Sequence, residues 1–429
     1  MTAAIVSGLI FAISLFFIFS EKLNRTIAAF AGATLMVGVG LAMGFYSETE
    51  AIASIDFNTL GLLLGMMILV ALLEPTGFFQ YLAVWAARLS RGRPVRLMVL
   101  LGTVTTLLSM FLDNVTTVVL IAPVTIMISE ILGISAVPFL VAEALLSDTG
   151  GVATLVGDPP NILIASAAEL SFTDFLTHSL PIVLIVWLAA LLALRYLFRH
   201  ELGRLPPNMD AILKLDPKQA LDDPKAAGQV LIVLGVALLA FFVHHRLHIL
   251  PSFIALGAAA IALLWVRPDI HATLQRIEWS VLAFFTALFV MVGGLEQAGL
   301  LHWLATLVSG AKALPPVLFG VIIIWVVAAL SAVVDNIPIT IALIPIILEL
   351  ETAGINIAPL WWALAFGAGF GGNGTIIGST ANIVVVSLSE RTQTPITAKL
   401  WSKRGLPVML ITCAVASLLY VLAFPFLSR

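Results

Sequence analysis

Cysteine is nearly missing from this chain: a single residue, Cys413, in 429. That excludes an intramolecular disulfide and any thiolate cluster for a soft metal or metalloid. The lone thiol lies in an apolar run, where a small packing role is the ordinary one. Charge is scarce too. Only 10% of residues are Asp, Glu, Lys or Arg, 61% are apolar, and mean hydropathy is +1.11. Such a composition excludes an ordinary soluble globule. Of the few histidines, His244, His245 and His248 cluster near the end of an apolar run, where a loop role is expected. The sequence has no P-loop, no paired-cysteine zinc pattern, no dinucleotide-binding glycine motif and no nucleophile–base constellation. Hence no cofactor, no metal centre, no enzymatic activity and no nucleic-acid partner are expected. ATP bound by this chain is not its energy source, which leaves room for a separate ATPase subunit.

What is present is a series of apolar runs long enough to cross a bilayer as helices. They are Thr2–Phe19, Thr26–Phe45, Phe57–Leu73, Thr177–Leu197, Gly228–His244, Pro251–Val266, Trp279–Leu295 and Leu406–Phe426. No basic residue precedes the first run, and Glu21, Lys22 and Arg25 follow it, so it reads as a membrane helix and not a cleaved signal. With both termini outside, all but three of the 21 Lys and Arg fall on the cytoplasmic side, Arg246, Lys312 and Arg429 being the exceptions. A positive-inside bias is what a bacterial cytoplasmic (inner) membrane protein is expected to show.

Two segments repeat. LDNVTTVVLIAP at Leu112–Pro123 returns as VDNIPITIALIP at Val334–Pro345, displaced by 222 residues. GGVATLVGDPPNILIAS at Gly150–Ser166 returns as GGNGTIIGSTANIVVVS at Gly371–Ser387, displaced by 221. The kept register marks an internal duplication. The predicted halves are residues 1–205 and 223–429, joined by a cytoplasmic linker at 206–222 within the hydrophilic stretch His200–Ala227. Each half holds a re-entrant hairpin (95–131 and 315–352) and an interrupted helix (136–170 and 358–389). Five crossings per half is an odd number, so the halves are inverted, an arrangement that lets a central site open to either side. The expected fold is thus an all-α polytopic inverted-repeat transporter with two re-entrant hairpins and two discontinuous helices. Amphipathic stretches at Gly77–Leu89 and Gly299–Ser309 are expected to lie in the interface plane.

The boxes place Asp113, Asp335 and Asp158 inside apolar sequence, and an intramembrane carboxylate marks a site by default. The bland alternative for Asp113 and Asp335 is helix N-capping, which Asp and Asn do well. Glycines and Pro159-Pro160 interrupt the first broken helix, and glycines alone the second. Breaking a helix frees backbone groups to bind solute. Substrate contacts are expected from Asn114, Thr116, Asn161, Asn336, Asn373 and Asn382, with Ser379 and Thr380 auxiliary. The repeat is unequal in charge: Asp158 is matched by Ser379, Val152 by Asn373 and Thr116 by Pro338. A proton carrier must change charge during the cycle, and a desolvated carboxyl gives up its proton nearer neutral pH. Asp113, Asp158 and Asp335 are the first choices for this role, Asp148 the next, and Glu143 the fallback. Glu74 and Glu296, matched across the repeat, are expected to be interfacial anchors.

At FLDNVTTVVLIAPVTI, GDPPNILI, VDNIPIT and FGGNGTIIGSTAN the chain resembles the ion transporter superfamily. Within it, the likeness is in particular to the branch of arsenite/antimonite permeases, sodium/proton antiporters and the melanosomal P protein. The resemblance covers essentially the whole chain and implies secondary transport of a small inorganic solute against protons, and a homodimer. The related dicarboxylate symporters carry Ser-Asn-Thr at both tips, whereas here the tips read Asp113-Asn114-Val115 and Asp335-Asn336-Ile337. Carboxylates there repel an anion. The leading expectation is proton-coupled efflux of arsenite or antimonite as the neutral oxyacid. A sodium/proton antiporter is the close alternative, and an anion transporter or channel-like conductance the lesser one.

Overall fold

A computed structural model describes residues 2–19, 23–301, 303, 314–352 and 354–428. Among them the regular structure is helical, with no strand. The first series is α1 (Thr2–Phe19), α2 (Arg25–Met43), α3 (Phe57–Leu73), α4 (Phe78–Ser90), α5 (Pro94–Ser109), α6 (Asn114–Leu132), α7 (Val137–Gly151), α8 (Pro159–Ala167) and α9 (Phe172–Leu197). The second is α10 (Pro224–Leu247), α11 (Pro251–Val266), α12 (Trp279–Gln297), α13 (Pro316–Ser331), α14 (Asn336–Thr352), α15 (Ala358–Gly371), α16 (Thr380–Ser389) and α17 (Ala398–Leu427). Seven of the described helices are long and apolar enough to cross a membrane. One of these, α6, is a hairpin arm.

The ends of these helices follow from local chemistry. Asn24 caps α2 by accepting from the Thr26 amide at 2.9 Å, and Asp56 caps α3 through the amides of Asn58 and Thr59. Proline opens α5, α11 and α13, where its missing N–H costs nothing. His244 and His245 fall in the last turn of α10 and not in a loop, while His248 lies in the turn beyond it with a positive φ.

The helices sort into two groups by what they touch. In the first, α2 packs on α12 of the other series, and α11 packs on α3, with α1 and α10 alongside. Each series thus lends its second crossing to the other's third, and these six form a frame. In the second group, hairpin α5/α6 packs on α7 and hairpin α13/α14 on α15, while α6 meets α16 and α14 meets α8. Again each series reaches across to the other. The helices α9 and α17 pack together and close this group.

The linker is not a free loop. The amides of Asp222 and Asp223 both donate to the Thr76 carbonyl, at 2.9 and 3.3 Å, so the end of α3 lies on the linker face. The amphipathic α4 is anchored more deeply than an interface helix, burying Phe79, Ala83, Ala86 and Ala87 against α5 and α6. Its partner stretch, Gly299–Ser309, falls largely outside the described residues, as do Lys22, Lys312 and Arg429.

Candidate functional site

The two interrupted helices are wired alike. Ser109 Oγ donates to the Ser147 carbonyl and Ser331 Oγ to that of Ala368, both at 2.7 Å. The Thr154 hydroxyl donates to the Met110 carbonyl and that of Thr375 to Ala332. Asn161 Nδ2 donates to the carbonyls of Gly151 and Thr154 at 2.9 and 2.8 Å, and Asn382 Nδ2 to those of Gly372 and Thr375, both at 3.0 Å. Asp158 and Ser379 share an extended backbone, −147°/136° and −148°/138°. Gly157 and Gly378 let the break press on the hairpin: a Cβ would lie 2.8 Å from the Ser109 carbonyl in one and 2.9 Å from that of Ser331 in the other. At the breaks, the carbonyls of Ser147, Gly151 and Thr154, and of Ala368, Gly372 and Thr375, each accept from a side-chain donor, the kind of pairing buried carbonyls require. The donors of Asn161 and Asn382 are therefore spent on building the breaks.

Between the breaks, the hairpin tips meet. Asn114 Nδ2 donates to Asp148 Oδ1 at 2.7 Å, and Ser379 Oγ donates to the same oxygen at 2.9 Å. Asn336 Nδ2 donates to Asp158 Oδ2 at 3.0 Å. One asparagine from each tip thus holds one aspartate of the first broken helix. Asp148, Asp158, Asn114 and Asn336 are all buried. Asp148 Oδ2 and Asn373 Oδ1 are buried acceptors without a partner among the described residues, while Asn373 Nδ2 reaches Thr149 Oγ1 at 3.3 Å.

The tip carboxylates cap their helices. Asp113 accepts from both the amide and the hydroxyl of Thr116 at 3.0 Å, and Asp335 accepts from the Ile337 amide at 3.2 Å. Asp335 does more, for its Oδ2 also accepts from Thr380 Oγ1 at 2.9 Å and pairs with Arg25 at 3.1 Å. The tips enclose a cavity of about 40 Å³ bounded by Arg25, Asp113, Asn114, Asp158, Glu278 and Asp335 among others. It shares lining residues with a space of about 320 Å³ beside Arg25, Asp335 and Thr380, and with another of about 240 Å³ beside Asp113, Thr116, Glu74 and Glu278.

Two residues here escaped the sequence reading. Arg25, counted there among cytoplasmic loop charges, is the first residue of α2 and turns into the cavity. No local pattern foretold this, since Asp335 lies 310 residues away. Glu278 did leave a trace. It is displaced by 222 from Asp56, yet it makes no side-chain cap on α12 and faces Asp113 and Thr116 instead. Glu74 pairs with Arg276 at 3.7 Å and lines the outer part of the same space, so it is closer to the site than an interfacial anchor. Glu143 lies apart, buried between α6 and α7, where it accepts from Thr125 Oγ1.

Known proteins share this architecture. A family model described as a citrate transporter matches residues 15–367. An uncharacterized transporter of Mycobacterium tuberculosis is 38% identical over 420 residues, covering 96% of this chain and 97% of its own length. The human P protein is 32% identical over 496 residues, covering 97% of this chain and 59% of the P protein. Among solved structures, the YdaH transporter of Alcanivorax borkumensis superposes with a TM-score of 0.64 at 15% identity, over 99% of this chain and 98% of that one.

Proposed function

This chain belongs to the citrate transporter family of the ion transporter superfamily, and from that premise we propose that it expels arsenite or antimonite, as the neutral oxyacid, in exchange for protons. The observation that carries this reading is the small acceptor-rich cavity between the hairpin tips. Its charged residues are Asp113, Asp158, Asp335 and Glu278 against the single guanidinium of Arg25. Citrate would bring negative charge against those carboxylates, where close like charges repel strongly. A neutral trihydroxy acid brings donors instead, and carboxylate oxygens accept them. A cavity of about 40 Å³ suits a solute of a few atoms, given that roughly 10–15 Å³ of such volume holds one water.

Protons are assigned to Asp148 and Asp158, which the tip asparagines hold in place. Asp148 is suited to the task because both its hydrogen bonds fall on Oδ1. A proton can sit on the unpartnered Oδ2 without breaking either. In this reading the hairpins, broken helices, α9 and α17 move as a unit against the six-helix frame, with the linker cytoplasmic and both termini outside. The domain division at residues 1–205 and 223–429 belongs to the same proposal.

Sodium/proton exchange is the second reading. The unpartnered oxygens of Asp148 and Asn373 are the hard donors that a dehydrated alkali cation takes. Counterflow in proteoliposomes separates the readings, comparing arsenite, antimonite, sodium and citrate with and without a pH gradient. Gradient-driven arsenite flux is expected. Gradient-driven sodium flux without arsenite flux would favour the second reading, and citrate flux alone would overturn both.

A further inference from the structure

Arg25 stands where local electrostatics disfavour a cation. It is the first residue of α2, so its charge lies at the positive end of that helix dipole. Its guanidinium also reaches the N-terminal ends of α14 and α16, through Asp335 and Thr380. Three helix N-termini therefore converge on one positive group. What offsets them is Asp335, whose Oδ2 lies 3.1 Å from Arg25 Nη1, while the same nitrogen donates to Thr380 Oγ1 at 3.0 Å. The ring of Phe284 on α12 lies 5.6 Å from the guanidinium carbon. Glu278, Asp113 and Asp158 are the other charged groups lining the small cavity with it.

The partners come from two different groups of helices. Arg25 and Phe284 belong to the frame, whereas Asp335 and Thr380 belong to the hairpin and the broken helix. Among the described residues the contact has no counterpart in the second series: α11, the mate of α2, opens on Pro251, and Thr380 is matched by Pro159.

We propose that Arg25 is a tethered counter-ion that latches the hairpin unit to the frame in this state, and that the latch opens when Asp335 loses its charge to a proton or a bound cation. Arg25 occupies the Asp335 side of the site as a built-in competitor and is released when its charge partner is neutralised. Because only one series carries the latch, only one of the two alternating states is held by it. That state opens on the linker face, where Leu23 and Asn24 of the α1–α2 connection line the mouth of the larger space beside Arg25. The proposal rests on the reading that the hairpin unit moves against the frame.

The test needs no transported substrate. Val333 lines the same space and is 61% exposed. In a Cys413→Ser background, Val333→Cys reports access from the linker face through its rate of reaction with a membrane-impermeant maleimide in liposomes. Arg25→Gln is expected to slow labelling about fivefold or more, the lower range of coupling between sites, and Arg25→Lys to leave it near the parent rate. Asp335→Asn, which keeps shape and capping, is expected to reproduce the effect of Arg25→Gln. The double variant is then no slower than either single one, since the bond can be lost only once. Unchanged labelling in a folded Arg25→Gln protein, or effects of the two substitutions that simply add, would overturn the latch. Failure of the proton-exchange reading shows elsewhere, as loss of gradient-driven flux with the labelling pattern intact.

Discussion

The four aspartates of the site do unequal work, and substitution by asparagine separates their roles. Asp113 caps α6 through the amide and hydroxyl of Thr116, and Asn caps about as well as Asp. Asp113→Asn is therefore expected to fold normally and keep most of its gradient-driven flux. Asp148 and Asp158 instead receive the tip asparagines. An amide there preserves shape but cannot change charge. Asp148→Asn and Asp158→Asn are expected to retain arsenite exchange at equal pH while gradient-driven flux falls about tenfold or more, an effect of ~1.4 kcal/mol. Vesicle flux measured across a pH step decides between them, and full pH sensitivity in both would move the carrier to another carboxyl, with Glu143 next. The asparagines divide in a similar way. Asn161→Ala and Asn382→Ala each strip two carbonyls of their donor, at roughly 1–3 kcal/mol per unsatisfied buried group. They should lower thermal stability in detergent by matching amounts. Asn114→Ala and Asn336→Ala should cost transport more than stability. The sequence made all eight of these positions visible, because polar residues in a duplicated apolar context stand out. It could not sort builders of the break from residues facing the cavity, since that depends on which carbonyls each amide meets after folding. Arg25 was hidden for a related reason: its partners, Asp335 and Thr380, are 310 and 355 residues away.

Helix breaks and hairpins were legible because their chemistry is local. Glycine and proline interrupt the apolar pattern at Gly150–Pro160, and Asp-Asn follows a run of apolar residues at each tip. The structure adds the reason the two signals occur together: the break is seated on the hairpin. Gly157 approaches the carbonyls of Gly151 and Ser109, and a Cβ would lie 2.6 and 2.8 Å from them. Gly378 repeats this with Gly372 and Ser331 at 2.5 and 2.9 Å. Backbone cannot yield as a flexible side chain does. Gly157→Ala and Gly378→Ala are each expected to cost about 1–3 kcal/mol of overpacking strain and to abolish flux by parting hairpin from break. A circular-dichroism melt and a flux assay on each purified variant check this. Wild-type melting in either would mean that break and hairpin are not seated together. The placement of α4 was less legible, since an amphipathic pattern reports that one face is apolar but not whether lipid or protein covers it.

The whole molecule is symmetric in wiring and asymmetric in charge. Asp148 and Asp158 correspond to Gly369 and Ser379, and a Cβ at Gly369 would lie 2.1 Å from Val152, so packing denies the second series a matching acid there. Both buried carboxyls held by the tip asparagines consequently belong to the first broken helix, and the latch belongs to the first series as well. An inverted repeat alternates by exchanging the environments of its two halves. Residues related by the repeat should then trade exposure as the unit changes sides. Ile377, beside the larger space, is 44% exposed, whereas its repeat mate Val156, displaced by 221, is 6% exposed. In a Cys413→Ser background, Ile377→Cys should react readily with an impermeant maleimide from the linker face and Val156→Cys slowly from either face. Adding Arg25→Gln removes the bond that favours the present state. Labelling of Ile377→Cys should then fall, while that of Val156→Cys from the opposite face should rise by a comparable factor. The reciprocity is the informative part: local unfolding around Arg25 would raise both rates, and a frozen transporter would lower both. Either parallel change would show that the two halves do not exchange environments.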